Sequence, residues 1–424
     1  MLEVVKTGTC FCRVKRYCLE VRIALVTHSF GPTEYGGIAR IVRDIAQSAS
    51  QSTNVDVDIF SFESSRHSPN SFSFSRPKSI FSERFSKGID LLSSSVYLVG
   101  SFNADFEVFR YRQRWKLRSR FETYDCVLVV TGFLQFANVV PELDIPVFVQ
   151  CATRLEWERK SQYERMTWAK RAMLKLQIPL FRIQENAVLR GKKIFLTENS
   201  QMKQWVETRS KRKSYLWYPG VNSGIKDLFS NKLNSNQGHF ISVGRLNESR
   251  KGWSRLMSAY ARAYDKNPDI PKLVIVGQGE FSAIDLNTLC NLQKYPIEVH
   301  KNLTDSKKDD LLSTASFFLQ ASFEEGLGLA ALEGMQFGLP IISSDTYGAR
   351  EYVHQESNGF LVLQDDNFCE NFTQAILETQ NWDYQLLSQN SLNLYLENFS
   401  QKDNAKKLFE ILYSQVRNLH SRGS

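Results

Sequence analysis

The chain has 424 residues, of which 42% are hydrophobic and 23% are charged. A chain of this length is too long to fold around one hydrophobic core of ordinary size, which predicts two domains of roughly 200 residues each. No apolar run approaches the roughly 20 residues that a membrane-spanning helix needs. Seven scattered cysteines argue against a disulfide framework.

The formal net charge of +8 is unevenly distributed. Residues 1–220 carry 34 Lys and Arg against 21 Asp and Glu, a net of +13, whereas residues 221–424 carry 19 against 24, a net of −5. The basic half favours an anionic partner such as a lipid surface, a pyrophosphate-linked ligand or nucleic acid. A solvated surface that keeps the protein soluble explains the same charge.

Residues 1–20 form a basic extension ahead of the first clear strand and contain Cys10, Cys12 and Cys18. These cysteines have no fourth ligand nearby, which argues against a zinc site. The stretch has no long apolar region before a small-residue cleavage site. No signal peptide is therefore predicted, and the protein is expected in the cytoplasm.

The N-terminal half, residues 21–217, shows apolar runs that alternate with helical stretches, which predicts a parallel sheet built from βαβ units. Gly36 and Gly37 open the first helix, and residues 61–80, rich in Ser, Phe and Arg, are predicted to be a loop. The predicted strands are residues 22–27, 55–60, 126–130, 146–149 and 193–196.

Residues 154–190 differ from the rest of this half, because Arg and Lys alternate with Trp157, Met166, Trp168 and Met173 at helical spacing. One interpretation is a pair of surface helices whose apolar stripe belongs to the core. The other is a basic amphipathic face for an acceptor molecule or a membrane surface.

A second set of strands follows a predicted interdomain turn at residues 218–220. The two halves, residues 21–217 and 218–400, repeat one architecture, so we predict an α/β fold of two Rossmann-like domains facing a central cleft. Residues 401–424 are predicted to be a C-terminal helix and tail. The predicted strands of the second half are residues 239–243, 272–276, 297–300, 317–319 and 340–342.

The strongest chemical signal lies at residues 322–335, where a strand ends, a glycine loop turns and a helix begins. Exposed N–H groups of such a loop and of the helix N-terminus suit an anionic phosphate. Glu325 lies in the loop and Glu333 in the helix, where carboxylates can accept hydrogen bonds from the vicinal hydroxyls of ribose and hexose. The preference for acidic side chains near a helix N-terminus would explain Glu325 alone. It would not explain both acids together with Gly326 and Gly328.

This segment resembles the E-x7-E signature of family 4 retaining glycosyltransferases, with Glu325 and Glu333 as its two acids. Upstream, residues 243–246 and Lys251 resemble the family's donor-diphosphate pair, Arg245 with Lys251. Residues 34–40 resemble its N-terminal glycine loop. The resemblance covers nearly all of residues 216–380 and implies the GT-B fold.

The resemblance implies a UDP- or GDP-sugar donor in the C-terminal half and a glycan or lipid-linked acceptor in the basic N-terminal half. Arg245, Lys251 and Glu325 would then be catalytic: the two cations stabilise the departing diphosphate without a metal or other cofactor, and Glu325 holds the sugar hydroxyls. Glu333 would hold the ribose, and Gly36 and Gly37 would serve a phosphate or the acceptor. The donor-binding residues so implied are Gly244, Arg245, Lys251, Glu325, Gly326, Leu327, Gly328, Leu329 and Glu333.

Retention in this family implies that the acceptor attacks from the leaving-group face, with a donor phosphate oxygen taking its proton. The expected role is cell-surface polysaccharide synthesis in the cytoplasm or at the inner membrane face, with an anionic membrane surface and no nucleic acid as partner. One alternative is a nucleotide-sugar epimerase of the same fold, which leaves the basic half unexplained. Another is a non-catalytic basic protein that binds membrane or nucleic acid, which would not need the Arg, Lys and Glu set.

The sequence departs from the family at one point. Many members carry a His near the end of the strand that corresponds to residues 146–149, close to the reacting sugar. Here residues 150–154 read Gln-Cys-Ala-Thr-Arg. Thr153, Arg154 or His28 would have to supply that contact, although a polar residue at the end of a strand is the better explanation of His28.

Overall fold

The computed structural model describes residues 21–421 except residues 29, 32–35, 64, 66, 75, 77, 79–84, 102–105, 161–166 and 222–237. The N-terminal extension, Met166 and residues 34 and 35 of the glycine loop therefore lie outside the described residues.

The N-terminal half alternates strands and helices. Its strands are β1 (Val21–His28), β2 (Val55–Glu63), β3 (Phe85–Lys87), β4 (Val96–Gly100), β5 (Cys126–Phe133), β6 (Val147–Thr153), β7 (Ile194–Thr197) and β8 (Tyr215–Leu216). Its helices are α1 (Gly37–Ser50), α2 (Glu107–Arg110), α3 (Arg118–Phe121), α4 (Leu155–Lys160), α5 (Trp168–Arg190) and α6 (Ser200–Ser210).

Within the described residues of this half, the strands form one sheet in the order β3-β4-β2-β1-β5-β6-β7-β8. Only the β3–β4 pair is antiparallel among these pairings. Each predicted strand corresponds to a strand of this sheet. The predicted loop at residues 61–80 begins too early, because β2 continues to Glu63 along its pairing with β4.

The C-terminal half has the same architecture. Its strands are β9 (His239–Arg245), β10 (Leu273–Gln278), β11 (Ile297–Lys301), β12 (Ala315–Gln320), β13 (Ile341–Ser344) and β14 (Gly359–Val362). Its helices are α7 (Trp253–Lys266), α8 (Ala283–Asn291), α9 (Asp305–Thr314), α10 (Leu329–Gln336), α11 (Phe368–Glu378) and α12 (Tyr384–Asn398), and helix α13 (Gln401–His420) follows.

The sheet of the C-terminal half runs β11-β10-β9-β12-β13-β14 and is parallel at every described pairing. Apolar side chains cover both faces of each sheet, which explains the continuous apolar runs in the sequence. The fold is therefore α/β, with two Rossmann-like sheets.

Helix α13 leaves the C-terminal half and packs on the first sheet. Leu408, Leu412 and Val416 are buried in the same cluster as residues of β1 and α1. The Trp217 indole N–H donates to the Asn404 carbonyl at 2.9 Å. The last helix thus completes the hydrophobic core of the first half.

Residues 154–190 fold into α4 and α5, separated by residues outside the description. The buried face of α5, which includes Phe181 and Val188, belongs to the core, as the first interpretation predicts. The opposite face of α5 also carries apolar side chains, and these are exposed. No helix within the described ranges is long and apolar enough to cross a membrane.

Candidate active site

Loops at the carboxyl ends of strands from both halves meet in one cleft. Gly36, which precedes α1, lies beside Arg245 at the end of β9: a Cβ on this glycine would be 3.7 Å from the guanidinium carbon. A Cβ on Gly37 would be 3.5 Å from Leu329 Cδ1 at the start of α10. The structure thus brings Gly36 and Gly37 of the first half against the segments of the second half that are predicted to bind the donor.

Two helices begin here, and neither has a side-chain cap among the residues that the structure describes. Gly36 caps α1 and Gly328 caps α10, and neither helix has an acidic residue in its first turn. The first N–H groups of each helix have no intrahelical acceptor and carry partial positive charge. Gly328 has a φ of +102°, and a Cβ there would lie 2.6 Å from the hydroxyl of Tyr352. The pair of helix ends suits a phosphorylated ligand.

Glu325 lies between β12 and α10 and is only 4% exposed. Its Oε1 accepts from Lys251 Nζ at 2.7 Å and from Ser322 Oγ at 2.6 Å, and its Oε2 accepts from Arg250 Nη1 at 3.2 Å. Burial alone would raise the pKa of Glu325, but the charges of Lys251 and Arg250 outweigh it and lower this pKa to about 2. Glu325 is therefore a carboxylate.

Lys251 and Arg245, the two cations predicted to bind the diphosphate, differ in their surroundings. The Lys251 side chain is 13% exposed and is held by Glu325. The Arg245 side chain is 44% exposed and forms an ion pair with Glu248. Gly244 lies under the Lys251 stem, since a Cβ there would be 3.3 Å from Lys251 Cδ. Arg245 is thus accessible to solvent beside Gly36, whereas Lys251 is largely buried against Glu325.

Glu333 connects the two halves. Its Oε1 accepts from Arg40 Nη1 of α1 at 2.7 Å, and its Oε2 accepts from Lys308 Nζ of α9 at 2.9 Å. A carboxylate has about four acceptor positions, so two positions of Glu333 can serve further donors. Arg40 and Lys308 are site residues that the sequence did not indicate. Arg40 stands in the glycine-loop segment, but no pattern there marks it as the partner of Glu333.

Arg250 is a further site residue that sequence reasoning missed. Burial lowers its pKa, but the charges of Glu325 and Glu248 outweigh burial and raise the pKa above its ordinary value. The sequence feature that could have indicated Arg250 is its position next to Lys251. Because both residues lie in the short turn Ser249–Lys251 after β9, both side chains can approach the same carboxylate.

Close contact between the halves continues below the cleft. Asn199 Nδ2 donates to the carbonyl of Ala152 at 2.8 Å and to that of Gly326 at 2.7 Å. A Cβ on Gly326 would lie 2.5 Å from the Cβ of Ala152, so only glycine fits there. Nearby, the Ser200 amide donates to Glu351 Oε1 at 2.7 Å.

Gln150 and Arg154, two of the residues at the position of the family's His, have defined partners. Gln150 Nε2 donates to Glu198, and Gln150 Oε1 accepts from the Thr131 amide at 3.1 Å. Arg154 Nη2 donates to Glu185 at 2.8 Å, and its guanidinium lies 4.2 Å from the ring centroid of Trp205. The polar atoms of Gln150 and Arg154 are therefore engaged within the N-terminal half, whereas the Thr153 hydroxyl lies beside Glu324 of the C-terminal half.

His28 ends β1 and stands between the rings of Phe133 and Phe136. Its Nε2 is buried and has no hydrogen-bond partner among the described residues. Burial lowers its pKa to about 4, and the nearby Arg245 charge lowers it further against an opposing effect of Glu107. The imidazole is therefore neutral. Its Nε2 has no hydrogen-bond partner among the described residues, and the ring lies close enough to Arg245 for that charge to lower the His28 pKa.

Two more acids are buried where the halves meet. Burial raises the pKa of Glu198 to about 8, and the charge of Glu324 adds to this. Burial also raises the pKa of Glu324 to about 7, against the charge of Arg250. No sequence pattern indicates either pKa shift, because the burial of both acids depends on contact between the halves. Among the described residues, no group of three or more His, Cys, Asp or Glu side chains could hold a metal ion.

Residues 225–382 match the family model of glycosyl transferases group 1. The UDP-Gal:alpha-D-GlcNAc-diphosphoundecaprenol alpha-1,3-galactosyltransferase of Escherichia coli is 28% identical to this protein over 47% of this chain and 51% of its own. The chain spans between 29% and 51% of the length of the first four curated relatives.

Solved structures match over nearly the whole chain. Sucrose-phosphate synthase from Thermosynechococcus elongatus superposes with a TM-score of 0.67 at 16% identity, covering 94% of this chain and 99% of its own. HepE of Anabaena, solved with UDP-glucose, superposes with a TM-score of 0.60 at 15% identity, covering 93% and 100%. The chain therefore has the GT-B fold, and its residues 225–382 are similar in sequence to glycosyl transferases group 1.

Proposed function

We propose that the protein is a family 4 retaining glycosyltransferase, which moves a sugar from a UDP- or GDP-sugar to a glycan or lipid-linked acceptor. The observation that carries this proposal is the meeting of Arg245, Lys251 and two uncapped helix N-termini in one cleft, beside Glu325 and Glu333. The match to glycosyl transferases group 1 supports it. The printed substrates of the galactosyltransferase relative and the UDP-glucose in HepE support the donor and acceptor classes.

The positive charge of the cleft would act on the leaving group. When the glycosidic bond breaks, the nucleoside diphosphate gains negative charge, and fixed cations and helix N–H groups stabilise it most in the transition state. Arg245 is accessible for bidentate contact with phosphate oxygens. Lys251 would reach the phosphate while Glu325 fixes the direction of its ammonium group.

The two carboxylates would bind hydroxyls with their remaining acceptor positions. Glu325 would accept from the transferred sugar, and Glu333 would accept from the ribose. Because Glu333 also holds Arg40 of the N-terminal half, nucleotide binding at Glu333 would act on the contact between the halves.

The acceptor would enter from the N-terminal half. Its hydroxyl attacks the anomeric carbon from the face that the diphosphate leaves, and a phosphate oxygen of the departing group takes the hydroxyl proton, so no protein nucleophile is required. His28 would supply the contact to the reacting sugar that Gln150 and Arg154 cannot, because its Nε2 is neutral and unpartnered within the described residues.

The proposed setting is cell-surface polysaccharide synthesis in the cytoplasm, at the inner face of the membrane. The basic charge of the N-terminal half supports an anionic membrane surface as a partner. A lipid-linked acceptor would be reached from such a surface.

A donor screen tests the enzymatic proposal. The full chain is incubated with a panel of UDP- and GDP-sugars, with and without glycan and lipid-linked acceptors, and nucleoside diphosphate release is followed. We expect release from one donor that rises with the correct acceptor, and a product with the anomeric configuration of the donor. Donor interconversion without acceptor dependence would indicate an epimerase, and no turnover of any donor would contradict both activities.

A further inference from the structure

An ion-pair network runs through the turn between β9 and α7. Glu248 lies between two arginines: its Oε1 pairs with Arg245 Nη2, and its Oε2 lies 2.9 Å from Arg250 Nη2. Arg250 Nη1 in turn donates to Glu325 Oε2 at 3.2 Å. The pairing of Glu325 with Lys251 completes the network. The predicted contacts of the diphosphate and of the sugar, Arg245 and Glu325, are thus connected through Glu248 and Arg250.

Arg250 contacts carboxylates from two segments of the protein. Its side chain is 17% exposed, and those of Glu248 and Glu325 are 21% and 5% exposed. A guanidinium has five N–H donors in one plane, so Arg250 can hold both carboxylates at once. Its Nη1 also donates to the Glu324 carbonyl at 3.2 Å, and its own carbonyl accepts from the Phe323 amide at 2.7 Å. Both the side chain and the backbone of Arg250 therefore connect the turn to the loop that carries Glu325.

The network contains three cations and two carboxylates, so its net charge is +1. The Arg245 side chain at one end is 44% exposed, whereas the Lys251 side chain at the other end is 13% exposed. A diphosphate that binds Arg245 would compete with Glu248 for this guanidinium, and Arg250 would remain as the counter-charge of Glu248. Without Arg250, the carboxylates of Glu248 and Glu325 would lose the cation that holds both.

We propose that Arg250 and Glu248 are positioning residues of the donor site. Arg250 holds the Glu325 carboxylate and, through Glu248, sets the direction of the Arg245 guanidinium. Neither Arg250 nor Glu248 would touch the substrate. Their effect is to fix the sugar contact and the diphosphate contact relative to each other before the donor binds. The inference rests on the proposed function, because it takes Arg245 and Glu325 as donor contacts.

Steady-state kinetics of nucleoside diphosphate release by the full chain tests the inference. Arg250→Gln should lower kcat by about ten- to a hundredfold while the donor KM changes less than about threefold, because preorganised charges act mainly on the transition state. Arg250→Lys restores the charge but not the planar two-way contact, so it should recover only part of kcat. A donor KM that rises while kcat stays at the parent value would overturn the inference.

Arg212→Gln is the matched control. Arg212 precedes the amino end of β8, away from the cleft, and it is half-buried like Arg250. Its guanidinium donates to the carbonyls of Leu189 and Lys193 at 2.8 and 3.1 Å. This variant loses a comparable set of contacts and should keep the parent kcat and KM. An equal loss of kcat in Arg212→Gln and Arg250→Gln would indicate a general structural effect and overturn the inference.

A double-mutant cycle tests the connection through Glu248. Glu248→Gln should also lower kcat, because Arg245 and Arg250 both lose a carboxylate. The effects of Glu248→Gln and Arg250→Gln should not add in the double variant, since each change breaks the same network. Full additivity would show that the two residues act separately and would overturn the connection.

The pH profile gives a readout that a loss of stability would not produce. In the parent chain the charges of Lys251 and Arg250 lower the pKa of Glu325 to about 2. Arg250→Gln leaves burial opposed mainly by Lys251, so the pKa of Glu325 should rise, and kcat/KM should fall as pH drops through the raised pKa. Arg250→Lys should reverse this shift. An acid limb at the same pH in the parent chain and in Arg250→Gln would contradict the inference.

Carbon NMR of labelled glutamate carboxyls, with Glu325→Gln for assignment, measures the same pKa without sugar transfer. An unchanged Glu325 pKa in Arg250→Gln would overturn the inference. Failure of the inference and failure of the proposed function give different results. Full donor turnover by Arg250→Gln and Glu248→Gln would overturn the inference alone, whereas no turnover of any donor by the parent chain would contradict the proposed function and the inference with it.

Discussion

At the scale of single residues, the ion pair between Glu325 and Lys251 holds a cation in position before a ligand binds. With a pKa of about 2, the Glu325 carboxyl stays ionised at every pH at which the protein would work. Lys251 therefore stays ion-paired with Glu325 before any ligand arrives. Preorganised charges of this kind lower a barrier without reorganising during the reaction.

Loss of one preorganised cation gives the first prediction. Arg245→Ala and Lys251→Ala should each lower kcat by on the order of 10²–10³, because each variant removes one stabiliser of the departing diphosphate. Turnover is measured at saturating donor. Arg262→Ala, an exposed arginine on α7, is the control and should remain near the parent rate. Near-normal turnover in both cleft variants would contradict their proposed role.

Metal removal gives the second prediction. If Arg245, Lys251 and the two helix N-termini supply the charge that a divalent ion would otherwise supply, sugar transfer should persist after treatment with EDTA. The assay compares initial rates before and after chelation. Activity that disappears with EDTA and returns with Mg²⁺ or Mn²⁺ would show that the protein's own cations are insufficient.

The candidate site residues can be predicted from the sequence, whereas the side chains that pair with them mostly cannot. Glu325, Lys251, Arg245 and Glu333 lie at strand ends and helix starts, positions that a one-dimensional pattern can reveal. The partner of Glu333 on α1 comes from 293 residues away in the chain. Such a pairing depends on how the two halves approach, and no local pattern encodes that.

At the scale of elements, burial decides which strands are predictable. Strands covered on both faces are continuous apolar runs, and these were predicted within a few residues. The edge strand β3 has three residues, none of them fully buried, and it was missed because edge strands are short and polar. Strand β4 is apolar, but it follows a Ser-rich stretch that is typical of a loop.

Helix α13 gives the third prediction. Leu412→Ala should lower the free energy of unfolding by about 2–5 kcal/mol, because it leaves a cavity in the core of the first half. Leu419→Ala, in the same helix but 45% exposed, should change it by less than about 0.5 kcal/mol. Denaturant unfolding compares the two variants. Equal effects would mean that α13 does not contribute to that core in solution.

At the scale of the whole molecule, the two halves share buried acids. Glu198 belongs to the first half and Glu324 to the second, and burial raises both pKa values, to about 8 and about 7. In the unfolded chain a Glu carboxyl titrates near 4.3. At pH values between the unfolded and the folded pKa, the two carboxyls are protonated in the folded protein but ionised in the unfolded chain. The free energy of unfolding therefore falls as pH rises through this range.

The fourth prediction isolates that effect. Glu198→Gln should raise the Tm at pH 8 by on the order of several degrees and flatten its dependence between pH 5 and 8, because the amide needs no proton to be buried. Glu397→Gln, an exposed acid on α12, should leave the profile unchanged. Parallel Tm curves for the parent chain and Glu198→Gln would rule out a contribution from this carboxyl.

The docking of α13 on the first half also bears on how the chain folds during synthesis. Domains commonly fold in order as they emerge from the ribosome. Here the first sheet lacks Leu408, Leu412 and Val416 of its own core until the last helix has been made. The strands and helices of the C-terminal half are complete before then. That half can therefore reach its native state before helix α13 packs on the first sheet.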